Sequence, residues 1–287
     1  VSVWWRTAAV LGLLLLGGCA HGAGQGKAND GPECSGDPLA ACTRQPERYP
    51  ALLVGLADPV APLVGRTIAQ VKFRKGYLAA DEAAQGLLAA KLKPLDVVLV
   101  SSKGRLTGNA IPGLFTHTVI HIGSEAQLKR LGLWNSPKIR PYQAEISAGK
   151  SFIESDRKGV HLSSIDQVID TDRVLVLRPR IRDSAWMRKS LCGLFGHVGS
   201  RFDFRFDAGE TNRLYCSELA FHVLPELGLP VRRLYGRDVV LPDDIAATGL
   251  TPRTRLAFAL YISGGPEGWT NAPRGTAVSD LVAQWRK

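Results

Sequence analysis

Apolar positions fall along this chain in three kinds of run. The first is a continuous stretch, Ala8 to Leu16, that follows the positive Arg6 and ends in two glycines. It is far too short to cross about 30 Å of hydrocarbon as a permanent helix, and it has the shape of a signal peptide over residues 1–18. The second kind recurs at helical spacing. Over residues 52–92, Leu63, Ile68 and Val71 are separated by Gln, Lys and Arg, which predicts packing helices with Pro59 and Pro62 at their starts or breaks. Residues 184–198, with Trp186, Leu191 and Leu194, predict another helix, and a further one opens near Cys216 and runs to Pro225. The third kind is short and β-branched. Asp96-Val97-Val98-Leu99-Val100, beyond the breaker Pro94, predicts a buried strand, and residues 116–123 predict a second one stopped by Gly123. Residues 151–154, 174–177 and 258–262 are further strand candidates, while 237–247 carry no assignment.

Residues 19–50 are rich in Gly, Asp, Pro and polar side chains, cannot bury much surface, and predict a flexible tether. That leaves 51–287 as one folded domain, with no internal repeat. A length of 287 residues with 45% hydrophobic and 22% charged residues is ordinary globular composition and suits one main core. The formal charge of +10 is spread along the chain with no run that would track phosphates, which argues against nucleic acid. Anionic envelope polymers or lipid headgroups suit it at least as well.

Five cysteines are too few and too scattered for a disulfide scaffold. Cys34 and Cys42 lie in the tether, where an oxidising compartment would let them close a loop together. No second cysteine pair stands near enough to complete a four-ligand metal site there. Cys192, between Leu191 and Leu194, reads as a core thiol. Cys216 differs, because it follows a loop containing Gly209 and Asn212 and opens the helical pattern Ser217, Glu218, Leu219, Ala220, Phe221. A thiol attacks only as thiolate, and a helix N-terminus both favours that anion and offers free N–H groups to an oxyanion. His117 and His121 stand four apart, but Thr118, Val119 and Ile120 between them favour a strand over a zinc-binding helix. No metal or cofactor is therefore expected. Glu218 is placed to cap its own helix, and His161, His197 and His222 have no motif around them.

Several stretches taken in order resemble one family. Leu95-Asp96 with the strand after it, Thr116-His117-Thr118-Val119-Ile120-His121-Ile122-Gly123, Phe152-Ile153-Glu154-Ser155 with Gly159-Val160, Phe202-Asp203-Phe204-Arg205-Phe206-Asp207 and Tyr215-Cys216-Ser217-Glu218-Leu219 look like the YiiX-like branch of permuted NlpC-type cysteine hydrolases. That branch reads GD, H-V-G-I-Y-I-G, V-I-E-A, Y-D-x-x-F and Y-C-S-E-L. The likeness spans roughly residues 94–224, with the histidine before the cysteine. It departs at Leu95, where glycine is usual, at Thr118-Val119, where V-G is usual, and at Phe202, where tyrosine is usual.

The resemblance implies an α+β, circularly permuted papain-like fold: an antiparallel sheet or small barrel packed on helices, with the cysteine at a helix N-terminus. It implies Cys216 as nucleophile, His117 as base and Glu154 as the group that orients the imidazole. Asp156, two residues on along the same strand, is an alternative to Glu154. Tyr215, His121 and Asp203 are candidates for substrate binding, with a packed or rim position favoured for His121 and turn formation open for Asp203. Leu16-Gly17-Gly18-Cys19 resembles a bacterial lipobox, which implies a lipidated Cys19 and a membrane-anchored, exported protein. Ala20, where inner-membrane lipoproteins often carry aspartate, points to the outer membrane facing the periplasm. The expected activity is amide hydrolysis on peptidoglycan peptides. The rivals are lipid acyl hydrolysis or transfer of the lecithin:retinol acyltransferase type, and a binding module without turnover. A polar cleft would favour peptides and a long apolar one lipids.

Overall fold

The computed structural model describes Leu39 and residues 72–105, 113–181, 183–209, 213–234 and 236–286, all within the unit Asp37–Lys287. The signal peptide, Cys19, the tether cysteines Cys34 and Cys42, and residues 52–71 of the first helical stretch lie outside these residues. Among the described residues no helix is long and apolar enough to cross a membrane.

In chain order the elements are helix α1 (Glu82–Lys91), strands β1 (Val97–Ser101) and β2 (His117–His121), helices α2 (Glu125–Arg130) and α3 (Gln143–Ser147), and the hairpin β3 (Lys150–Asp156) and β4 (Gly159–Ser164). Then come α4 (Ile165–Val168), β5 (Arg173–Pro179), α5 (Ser184–Gly196) and α6 (Cys216–Val223). A small ribbon β6 (Arg232–Leu234) and β7 (Arg237–Val239) follows, then α7 (Pro242–Leu250), β8 (Leu256–Gly265), β9 (Gly268–Asn271) and α8 (Arg274–Trp285). Seven strands form one sheet in the order β4-β3-β2-β1-β5-β8-β9, each pair antiparallel.

The apolar run of β1 has a simple cause. Val97 and Leu99 face a core shared with α2, α3, α5, α6, α7 and α8, while Val98 and Val100 face a second core closed by α1 and α4. β5 repeats the division, Leu175 and Leu177 on one side and Val174 and Val176 on the other. A strand covered on both faces has no polar side to display. The α+β layout is the one the resemblance implied.

The helical expectation over residues 72–81 is corrected. That stretch is an open clasp, not a helix, and tertiary partners overrule its local pattern. Asp172 accepts from the Arg74 guanidinium at 2.6 and 2.9 Å and from the Tyr77 amide at 3.1 Å, Asp170 accepts from the Gly76 amide, and the Leu78 amide reaches the Thr171 carbonyl at 3.0 Å. A Cβ on Gly76 would lie 2.1 Å from the Thr171 backbone, so only glycine permits this approach. Helix begins where Asp81 caps it, its carboxylate accepting from the Ala84 amide at 2.8 Å.

Asp96, immediately before β1, is fully buried. It is held by Arg178 of β5 at 2.8 and 2.6 Å and by the Lys93 amide at 2.8 Å. Just before it, Leu95 takes a left-handed backbone, φ 69°, a conformation that suits the glycine of the GD pattern. Yet the Leu95 side chain is 1% exposed in the larger core. Left-handed strain costs about 1–2 kcal/mol, whereas losing a buried leucine costs about 2–5 kcal/mol, so packing wins. Urea unfolding should show Leu95→Ala destabilised by about 2–4 kcal/mol. Leu95→Gly should be no worse despite its extra missing carbon, because relief of strain offsets it; a clearly less stable glycine variant would contradict the strain argument.

Candidate active site

Helix α6 starts at Cys216 because Tyr215 holds extended backbone, φ −91° and ψ 173°, and the Glu218 carboxylate turns back to accept the Tyr215 amide at 3.1 Å. Two cross-links place that start against the sheet. The Ser155 hydroxyl of β3 donates to the Leu214 carbonyl at 2.5 Å, and the Thr118 and Ser217 hydroxyls share a hydrogen bond of 2.9 Å. Residues 118 and 155 stand opposite each other in the register that pairs Val119 with Glu154. The immediate neighbours of His117, Glu154 and Cys216 thus lock β2, β3 and α6 together. Thr118, one of the departures from the motif pattern, contributes one of those locks.

Within that frame the three residues singled out for chemistry come together. His117 Nε2 lies 2.6 Å from Glu154 Oε2, and the same imidazole hydrogen-bonds the Cys216 thiol, which is 7% exposed. With Nε2 on the carboxylate, Nδ1 is the nitrogen left for sulfur. The thiol also meets the Thr118 backbone amide and, at 3.9 Å, the Ser217 hydroxyl.

The electrostatics follow from these contacts. Burial opposes a charge on Cys216, but the imidazole, the Thr118 amide and the Ser217 hydroxyl outweigh it and lower the thiol pKa. Burial likewise opposes a charge on His117, and the neighbouring thiolate and Glu154 overcome it, holding the imidazole well above the ordinary histidine value. For Glu154 burial would raise the pKa, yet His117, Ser163 and His161 bring it down to about 2. One shift is downward on the acid and the other upward on the base, so both favour the thiolate–imidazolium form of the pair.

Asp156 does not take the orienting position. Its carboxylate lies 3.6 Å from His161 Nδ1, and Glu154 alone of the two contacts His117. Ser163 donates to the other oxygen of Glu154, and His161 Nε2 stands 3.7 Å from it. Sequence reasoning passed over both residues. A signal existed: with Arg157-Lys158 as a two-residue hairpin loop, Asp156 pairs with Gly159 and His161 falls opposite Glu154.

Of the residues expected to touch substrate, Tyr215 and Asp203 are buried and bonded to backbone, and His121 lines a cavity. Tyr215 is 2% exposed and its hydroxyl accepts the Val240 amide at 2.7 Å. Asp203 is fully buried, its two oxygens accepting the Arg205 and Asp207 amides at 2.8 Å each, so it shapes the turn that carries Phe206 at φ 54°. His121 lies four residues beyond His117, about 13 Å along a strand. Its ring packs on Phe152 at 5.2 Å, its Nδ1 is buried with no hydrogen-bond partner among the described residues, and burial lowers its pKa. It lines a cavity of about 250 Å³ with Leu92, Gln127 and Arg130, and Cys216 is not among that lining. Glu218 caps α6 as expected, and Cys192 is half-buried against the main core. No group of three metal-binding side chains occurs among the described residues.

The profile of the permuted papain-like amidase enzymes, YaeF/YiiX, C92 family, matches residues 91–261. The chain belongs to this family. It is a cysteine hydrolase of the permuted papain-like amidase class, and its mixed helices and antiparallel sheet are that fold. No curated protein matches the sequence. A solved structure, that of the metalloprotein yiiX from Escherichia coli O157:H7, aligns with 64% of this chain and 97% of its own at 15% identity and a TM-score of 0.39.

The ion pair predicts a reactive thiol in mild acid. A free thiol with pKa about 8.5 is roughly 0.3% thiolate at pH 6. Iodoacetamide should therefore label Cys216 readily at pH 6, and His117→Ala should slow that labelling at least about tenfold, with its midpoint moved toward the free-thiol value. Equal, slow labelling of both proteins would remove the activated thiolate.

Proposed function

We propose that this chain is a membrane-anchored amidase of the cell envelope that cleaves an amide in peptidoglycan peptides through Cys216, His117 and Glu154. The observation that carries the catalytic part is the imidazole of His117, with Nε2 2.6 Å from the Glu154 carboxylate and the ring electrostatically coupled to the Cys216 thiol. In this reading the thiolate attacks the amide carbon and the His117 imidazolium delivers a proton to the leaving amine. Water, deprotonated by the same imidazole, then frees the acid from the acyl-enzyme. Glu154 keeps the ring oriented and stabilises its positive form, and the amide of Cys216 at the start of α6 is a donor for the oxyanion.

Support for an amide over an ester comes from the family's description as amidases. Support for a wall peptide comes from the export signal and the net charge of +10, which suits an anionic polymer. The full chain in mild detergent should release a new amine from muropeptides, seen by mass spectrometry, with Cys216→Ala lowering the rate at least about 10³-fold. Release of fatty acid from phospholipid, with muropeptides untouched, would replace this reading by the lipid one. Anchoring has its own test: the N-terminal peptide should carry acyl chains on Cys19, and Cys19→Ala should lose them; an unmodified Cys19 in the exported protein contradicts the anchor.

A further inference from the structure

Asp243, at the start of α7, plays no part in the chemistry above, yet its carboxylate bonds the chain segment that leads to His117. Its carboxylate is fully buried and accepts three donors at 2.7 Å each: the Leu114 amide, the Phe115 amide and the Trp285 indole N–H of α8. Leu114 and Phe115 are the residues that lead, through Thr116, into His117. The segment is fitted to the carboxylate closely enough that a Cβ on Gly113, φ 103°, would lie 2.2 Å from Asp243 Oδ2.

The other side of this junction reaches the nucleophile. Trp285 packs on the small cluster of Tyr215, Val239 and Leu241, and the Tyr215 hydroxyl accepts the amide of Val240, three residues before Asp243. Tyr215 is the residue from which α6 and Cys216 start. One short segment, residues 239–243, therefore grips both the approach to the base and the approach to the thiol. Sequence separation makes the point sharper: Asp243 bonds residues 128 and 129 positions away.

We infer that Asp243 is a positioning residue for the cysteine–histidine pair, an anionic strut that sets the segment before His117 against the segment before Cys216. The inference rests on the proposed roles of those two residues. Two hydrogen bonds to backbone fix a path of chain in a way that a packed side chain does not, and a charged acceptor makes them roughly twice as strong as a neutral one. A small displacement of a reacting group costs much rate, so such a strut acts on the chemistry while touching neither thiol nor imidazole.

The strut also has a titration of its own. Burial pushes the Asp243 carboxyl up to about 7, against the pull of its three donors, and neighbouring Asp244 adds to the rise. Asp244 is itself paired with Arg232 at 3.0 Å. Among the described residues the Tyr215 hydroxyl, the Lys103 ammonium, which bonds the Gly113 carbonyl at 2.9 Å, and the Arg232 guanidinium, 5.8 Å over the Trp285 ring, also stand at this junction. As pH rises through neutrality the carboxylate forms and the grip on residues 114 and 115 tightens.

The test follows Cys216 alkylation by iodoacetamide across pH 5–9 in the full chain in detergent, with thermal unfolding alongside. The native protein should show a rise near neutral pH on top of its acid-range labelling. Folded Asp243→Asn should lose that rise and label at least about tenfold more slowly at pH 8, because its amide presents N–H toward donors. Trp285→Phe removes one donor and leaves the carboxylate, so the same rise should move to higher pH. A rise retained in folded Asp243→Asn, or unmoved in Trp285→Phe, overturns the proposal, and the second variant decides alone if the first does not fold. His117→Ala runs in parallel. Slow labelling of that variant with native-like Asp243→Asn refutes only the strut, whereas native-like labelling of His117→Ala refutes the catalytic reading beneath it.

Discussion

A thiolate and an imidazolium held together inside a protein each lose solvation, and the structure around Cys216 is arranged to offset that loss. The attraction between the two charges is not enough alone, since a buried pair recovers its desolvation only when its remaining hydrogen-bonding capacity is filled. Here it is filled. Sulfur takes the Thr118 amide and the Ser217 hydroxyl, the far nitrogen of His117 takes Glu154, and Glu154 is completed by Ser163 with His161 nearby. The chain of partners runs from a helix start through one strand to a hairpin, and each member orients the next.

That arrangement requires three elements to keep fixed relations although the chain between them is long. The sheet supplies part of the rigidity, because β1, covered on both faces, is the central support against which β2 lies. Side-chain locks supply more. Ser155 to Leu214 and Thr118 to Ser217 tie β3 and β2 to the entry of α6, through residues adjacent to those that carry the chemistry. The C-terminal segment closes the assembly from outside, bonding the approach to β2 through Asp243 and the approach to α6 through Val240 and Trp285. Family membership covers residues 91–261, which includes Asp243 but stops before Trp285.

The strands and helices nearest the site were legible where one periodicity ruled. Val97 to Val100 could be read as a buried strand, residues 117–121 as another, and the helices from Ser184 and Cys216 from their apolar stripes. Residues 72–81 misled, since their pattern suits a helix but Asp170, Asp172 and Thr171 offer their backbone better partners. Helices α7 and α8 drew no assignment. Their faces are polar at several positions, and the apolar positions that do matter, such as Ile245 and Leu281, gain meaning only against the sheet they cover. Asp203 and Tyr215 looked like substrate groups because they sit beside the cysteine in the chain, whereas their polar atoms are spent on a turn and on the Val240 amide.

The sequence by itself determined which side chains could carry the chemistry and in what order. It contained a cysteine opening a helix, a histidine on a β-branched strand, and two acids on the next strand. Those are local properties, set by spacing along a few residues. Only the tertiary structure decided between Glu154 and Asp156, recruited Ser163 and His161, sent His121 to a separate cavity, and put Asp243 beneath the approach to His117. The reason is geometric: a side chain's partners across 40 or 130 positions depend on strand register and helix docking, and no local pattern encodes the distance between segments that meet only when the core closes.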